Sequence, residues 1–181
     1  MTLGLKKTAL GIGLTVTAVG VAAPAAFWYI VMVLDRALGF QPLPGAQAFA
    51  ILAASAILIG VFWVSWSYSY LHFVGRGLPF EAFGRAIHPT QVLVTTGPYA
   101  YTRNPMVLGL MFIFLGIACL QRSIAGLVLV PVVAAVVSMY LTTFEEKGLF
   151  KRFGKDYEEY HRNVPLLIPR VNPYAHEPAS G

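Results

Sequence analysis

Two polar stretches in an otherwise apolar chain carry residue types that could do chemistry. The first is 92–105, VLVTTGPYAYTRNP, and the second is 145–160, EEKGLFKRFGKDYEEY. In the first, Gly97 and Pro98 impose a turn, Tyr99 and Tyr101 supply rings with a polar tip, and Arg103 stands where an apolar run begins. In the second, Glu145 and Glu146 follow directly on Phe144, the last residue of another apolar run. A carboxylate at that depth is costly unless it meets a cation or water. A planar guanidinium can grip an anionic ligand with two parallel hydrogen bonds. Together the turn, the arginine and the carboxylate pair could hold a polar ligand at the edge of an apolar bundle. Taken singly, each has a plainer reading: boundary tyrosines, Tyr157 and Tyr160 above all, are expected as interfacial anchors, and Arg103 as an orientation signal.

The elements that must position these residues are membrane spans. Of 181 residues, 57% are hydrophobic and 12% charged, with a mean hydropathy of +0.66, so the solvent for most of the chain is lipid. Four runs have spanning length or nearly so: Leu10 to Leu34, Ala46 to Tyr70, Met106 to Leu120 and Ser123 to Phe144. The first follows Lys6 and Lys7 but is too long for the core of a secretory signal, and is expected as a retained span. The third rises only about 22 Å as a helix. Gln121, Arg122 and Ser123 then form a tight turn, which makes the third and fourth runs an antiparallel hairpin and returns both polar stretches to one compartment.

The fold class expected is therefore all-α, a helical membrane bundle of about four spans in a single domain. It comprises two generic spans over 1–72, a loop over 73–105, the hairpin over 106–144 and a short polar segment over 145–181. Lys6, Lys7, Arg76, Arg85, Arg103 and the cluster from Lys147 to Arg170 all fall on one side of such a bundle, against Arg36 and Arg122 on the other. The positive-inside rule places both termini and the candidate site in the cytoplasm; a bacterial or archaeal inner membrane is the expected location. The basic balance, with a pI near 9.5, reads as a membrane-surface bias, and nucleic acid is not expected as a partner. Cys119 is a single cysteine within an apolar run, and His72, His88 and His161 are scattered without metal-ligand spacing, so no metal site is expected and the histidines are read as interfacial. There is no phosphate-binding glycine loop and no nucleophile-elbow motif. A monomer is expected.

The pattern LVTTGPYAYTRNPMVLG followed by EEKGLFKRFGKDYEEYHRNVP resembles the isoprenylcysteine carboxyl methyltransferase family, in its bacterial branch related to phospholipid methyltransferases. The elements run in the same order over Leu93 to Pro165: a leucine-valine pair, Gly-x-Tyr, Arg-Asn-Pro, a hairpin, Glu-Glu, Phe-Gly, paired tyrosines and Val-Pro. Phe73 to Phe80 resembles the family's glycine-rich approach segment. The resemblance implies a membrane enzyme that binds S-adenosylmethionine and methylates a lipid-soluble acceptor, such as an isoprenylcysteine-like carboxylate, entering sideways between helices.

Carried over by position, Gln91, Leu93 and Val94 line the adenosine, Gly97 and Tyr99 shape the pocket, and Arg103, Asn104 and Glu145 contact the cofactor's polar groups, with Glu145 or Glu146 pairing with its amine. Arg103, Glu145 and Tyr101 are the catalytic candidates. A carboxylate acceptor needs no general base, whereas an ammonium or hydroxyl acceptor must lose a proton to Glu145, Glu146 or Tyr101. The alternatives are a phospholipid N-methyltransferase, a reductase using nicotinamide, and a noncatalytic four-helix binding protein.

Overall fold

The computed structural model describes residues 17–75, 81–82, 85–86 and 91–175. Lys6, Lys7 and the start of the first apolar run, Arg76, most of the 73–80 approach segment and His88 lie outside the described residues.

A π-helical turn, Ala18–Ala22, leads into α1 (Ala23–Leu38), followed by α2 (Ala46–Phe73), α3 (Pro105–Gln121), α4 (Ile124–Tyr140) and α5 (Glu146–Asn163). A second π turn, Leu141–Glu145, joins α4 to α5 without interrupting the helix, and a 3₁₀ turn, Gly97–Ala100, precedes α3. The only strands among the described residues are the two-residue pair β1 (Glu81–Ala82) and β2 (Arg85–Ala86).

Among the described residues three helical stretches are long and apolar enough to cross a membrane, Gly20–Leu38, Ala46–Phe73 and Ile124–Asn163, and α3 is a shorter apolar helix. The expected all-helical membrane bundle is thus what the chain forms. Exposure supports the same solvent: Ile51, Leu58, Val128 and Val136 are all exposed on α2 and α4, where a water-soluble protein would bury them.

The fold divides into two compact units, one built from the described residues up to Phe62 with Gly109–Val136, the other from Trp63–Leu108 with Val137 onward.

In the first unit, α2 and α3 approach at glycines. A Cβ on Gly60 would lie 2.6 Å from the carbonyl oxygen of Gly109 and 2.9 Å from the backbone nitrogen of Ile113, and one on Gly116 would lie 3.0 Å from the carbonyl oxygen of Ala53. In lipid, where apolar burial drives nothing between helices, such close backbone contact is what holds spans together. Gly60→Ala is therefore expected to destabilise by about 1–3 kcal/mol, because backbone atoms cannot step aside as a side chain can. Thermal unfolding in detergent would register this as a lowered midpoint, and an unchanged midpoint would contradict the packing described.

The phenyl rings of Phe27 and Phe114 stack at 4.3 Å. At the turn after α3, Arg122 takes a positive φ of 52°, and its backbone and guanidinium exchange hydrogen bonds with Leu43. The Ser123 hydroxyl accepts from the Gly126 N–H at 2.8 Å, and Asp35 accepts from the Ala125 N–H at 3.3 Å. Two of the orphan donors that every helix start leaves are thereby satisfied for α4.

Candidate functional site

The second unit contains both polar stretches. Its construction begins with a reversal inside α5. A straight helix would separate Glu146 from His161 by about 22 Å along its axis. Instead, Glu146 Oε2 lies 3.3 Å from His161 Nε2, and the rings of Phe150 and Tyr157 meet edge to face at 4.8 Å. The fold-back occurs at Gly154, whose φ of 53° and ψ of −123° are closed to residues with a Cβ. Segment 155–163 is thereby turned back onto segment 146–153.

The turned-back segment buries Tyr157, Tyr160 and Val164 in one cluster, with Leu93, Leu149, Phe153 and Tyr174 packed against it. Tyr157 and Tyr160 are therefore not the interfacial anchors expected from sequence. They are core residues, because the reversal faces them inward. The Tyr160 hydroxyl donates to the Tyr99 carbonyl at 2.7 Å, and the Tyr157 hydroxyl donates to Glu146 Oε1 at 3.3 Å. Burial first, and for Tyr157 the neighbouring Glu146 carboxylate, push both phenols far above the ordinary range. Burial, then Tyr160 and Glu145, does the same to Tyr99. All three stay neutral at working pH.

After α5 the chain runs alongside 100–104 and bonds to it repeatedly. Arg103 N–H donates to the Pro165 carbonyl at 2.9 Å, Asn104 N–H to that of Leu166 at 3.2 Å, Arg170 N–H to that of Tyr101 at 3.0 Å and Tyr174 N–H to that of Ala100 at 2.9 Å. The Thr102 hydroxyl adds a bond to the Leu166 carbonyl at 2.9 Å. The two motif segments are thus one structural module, a loop and the cap that covers it.

Arg103 sits at the centre. Its Nη1 donates to the carbonyls of His161 and Val164, both at 2.7 Å, at the C-terminal end of α5 where carbonyls lack intrahelical partners and the helix dipole favours a cation. Its Nη2 pairs with Glu146 Oε1 at 2.7 Å, with both side chains nearly closed to solvent. Its Nε is buried and has no hydrogen-bond partner among the described residues.

The other expected site residues divide by surroundings. Leu93 and Val94 are sheltered, Leu93 against the tyrosine cluster. Gly97 takes φ +60°, and a Cβ there would overlap the ring of Tyr70, so the turn closes directly on α2. Tyr99 is buried, and Asn104 is half-buried with its side-chain amide 3.5 Å from the Leu166 carbonyl. The Tyr101 ring packs against Trp63 and Trp66, with centroids 6.4 and 6.1 Å away. Glu145 is half-buried at the end of the π turn, whereas Gln91 is exposed, its backbone N–H donating to the Gly75 carbonyl.

From sequence His161 reads only as an interfacial residue, yet it lies against Glu146, and the carbonyls of 161–166 are not singled out at all. Carbonyls leave no side-chain signal. The aromatic and apolar residues at 149, 150, 153, 157, 160 and 164 do, since so many demand burial rather than a water boundary.

A family model described as phospholipid methyltransferase matches residues 48–156, more than half of the chain. The chain belongs to the phospholipid methyltransferase family. The match takes in α2, Arg103 and Glu146, and ends inside α5 just past Gly154.

Among curated relatives, methanethiol S-methyltransferase 2 of Bradyrhizobium diazoefficiens is 31% identical over 126 residues, covering 65% of this chain and 48% of the relative. Methanethiol S-methyltransferase of Pseudomonas deceptionensis is 31% identical over 132 residues, covering 66% and 48%. Protein-S-isoprenylcysteine O-methyltransferase of Schizosaccharomyces pombe is 35% identical over 80 residues, covering 44% and 34%. The chain thus spans about half the length of the methanethiol relatives and a third of the yeast one. No solved structure matches it. The likeness to isoprenylcysteine carboxyl methyltransferases read from 93–165 agrees with the family and with the yeast relative.

Proposed function

We propose that this chain is an S-adenosylmethionine-dependent membrane methyltransferase acting on a lipid-soluble acceptor, with its site in the loop-and-cap module and facing the cytoplasm. One observation carries the reading: Arg103 joins the two family segments at a buried ion pair with Glu146 and still has a buried Nε donor without an acceptor among the described residues. A buried donor left unmet costs about 1–3 kcal/mol. An arginine already held on three sides is preorganised to give that donor to one oxygen of a carboxylate, such as the one S-adenosylmethionine carries.

Glu146 is filled by Arg103, Tyr157 and His161, so its part is to hold Arg103 in place. Glu145, one residue earlier and half-buried, is the carboxylate assigned to the cofactor's ammonium group. Leu93, Val94 and the Gly97 turn supply the apolar wall for the adenosine. When bound, the cofactor supplies an electrophilic methyl group on a sulfonium. The protein's contribution is to place the acceptor in line with it and to keep water out, an effect that can reach several kcal/mol. Tyr101, against Trp63 and Trp66, would line the acceptor's path from the bilayer.

The relatives favour an anionic acceptor atom, either an isoprenylcysteine-like carboxylate oxygen or a thiol sulfur; a thiol must first lose its proton. Transfer of labelled methyl from S-adenosylmethionine to a prenylcysteine, a small thiol and phosphatidylethanolamine, measured on the protein in bilayers, tests this. Transfer to one of the first two is expected, and Glu145→Gln should lower kcat/KM by at least about tenfold while leaving thermal unfolding unchanged. Transfer to phosphatidylethanolamine alone would shift the assignment to a phospholipid N-methyltransferase. No transfer to any of the three by folded protein would count against the enzymatic reading.

A further inference from the structure

Among the described residues, two of the most exposed large apolar side chains are Ile168, 81% exposed, and Val171, 93% exposed, in the short run Leu166 to Val171 that follows α5. This run is not slack. The Leu166 carbonyl accepts from Thr102, the Arg170 N–H donates to Tyr101, and the Tyr174 N–H donates to Ala100, so both ends are tied and the two apolar side chains project from a fixed backbone.

The depth of the tip can be read from its neighbours. Arg170 is one hydrogen bond from Tyr101, and the Tyr101 ring packs against Trp63 and Trp66 of α2. At 28 residues, α2 rises about 42 Å, roughly 12 Å more than the hydrocarbon core. Divided between the two ends of the helix, that excess puts the edge of the core about four residues before Phe73, within roughly one helical turn of Trp66. Tryptophan and tyrosine grouped at that depth mark the membrane interface. The one charge on the tip is turned away: Arg170 Nη1 donates back to the Asn163 carbonyl at 3.0 Å. Pro169, between Ile168 and Arg170, has no N–H to leave unsatisfied in a poorly hydrated layer.

We propose that the 166–171 tip is a membrane-contacting loop whose Ile168 and Val171 side chains insert among lipid headgroups and upper acyl chains, docking the C-terminal cap on the bilayer beside the α2 aromatic residues. The inference is independent of methyl transfer, because it rests on exposure, tethering and depth.

Spin labels at Ile168→Cys and Val171→Cys, each in a Cys119→Ala background, test it on the full chain in lipid nanodiscs. Met139→Cys, exposed on α4, serves as the lipid reference and Lys155→Cys, exposed on α5, as the aqueous one. Both tip labels should collide more with oxygen than with a water-soluble nickel chelate, on the side of the Met139 reference. Nickel accessibility equal to that of the Lys155 reference at either position overturns the proposal. Protection from both reagents also overturns it, and points to a covering protein chain instead.

Discussion

Glu146→Ala is expected to destabilise the loop-and-cap module by about 3 kcal/mol or more, the usual result of removing one partner of a buried ion pair and leaving the other charge in place. The partner left behind is Arg103, with a side chain only 9% exposed. Its two carbonyl bonds at the end of α5 persist in the variant, which places the expected cost toward the lower end of the 3–5 kcal/mol range for such pairs. The loss also releases Tyr157 and His161, the other groups gathered on the same carboxylate. The opening is local, so limited proteolysis within 155–175 is the appropriate readout: cleavage should accelerate roughly a hundredfold, since each 1.4 kcal/mol is a factor of ten in the opening equilibrium. A variant as resistant as the wild type would show that the pair does not hold the cap. Glu146→Gln should fall between the two, because an amide retains hydrogen bonding without the charge.

Gly154→Ala should have the next largest effect, and for a different reason. A Cβ at this position meets open space, so nothing in the packing opposes it. The objection is entirely to the backbone, since φ 53° with ψ −123° is reserved for glycine and costs other residues about 1–3 kcal/mol. The chain can relieve that strain by straightening α5, which would carry Tyr157, Tyr160 and His161 away from Tyr99 and Glu146. The measurable outcome is a gain in helical signal by circular dichroism together with loss of cap protection in proteolysis. Retention of the wild-type cleavage pattern would mean that the reversal tolerates a side chain.

These two positions also mark the limit of what the sequence discloses. The spans are legible because lipid demands long apolar runs, and the turn at 121–123 because polar residues interrupt them briefly; α3 and α4 begin and end within a few residues of the expected bounds. The meeting of the two polar stretches follows from the hairpin, and Arg103 is recognisable from its place before α3. By contrast, the stretch from Glu146 to Asn163 has the periodicity of one amphipathic helix. A glycine within such a helix signals flexibility without specifying a reversal, so although the apolar positions of this stretch call for burial, what Tyr157 and Tyr160 pack against stays hidden. The same reversal decides which glutamate is enclosed. Glu145 and Glu146 are indistinguishable by type and depth, and only the fold-back brings Tyr157 and His161 to Glu146 and leaves Glu145 half-buried. Arg103, too, spends most of its hydrogen bonds on main-chain carbonyls, which no motif encodes.

The most direct test of the central claim, that the loop-and-cap module is a methyl-donor site, is calorimetric titration of the detergent-purified protein with S-adenosylhomocysteine, the product left after transfer. Saturable one-to-one binding, competed by S-adenosylmethionine and weakened by Glu145→Gln at unchanged thermal stability, is the predicted result. An absence of binding heat from wild-type protein that unfolds cooperatively would contradict the claim.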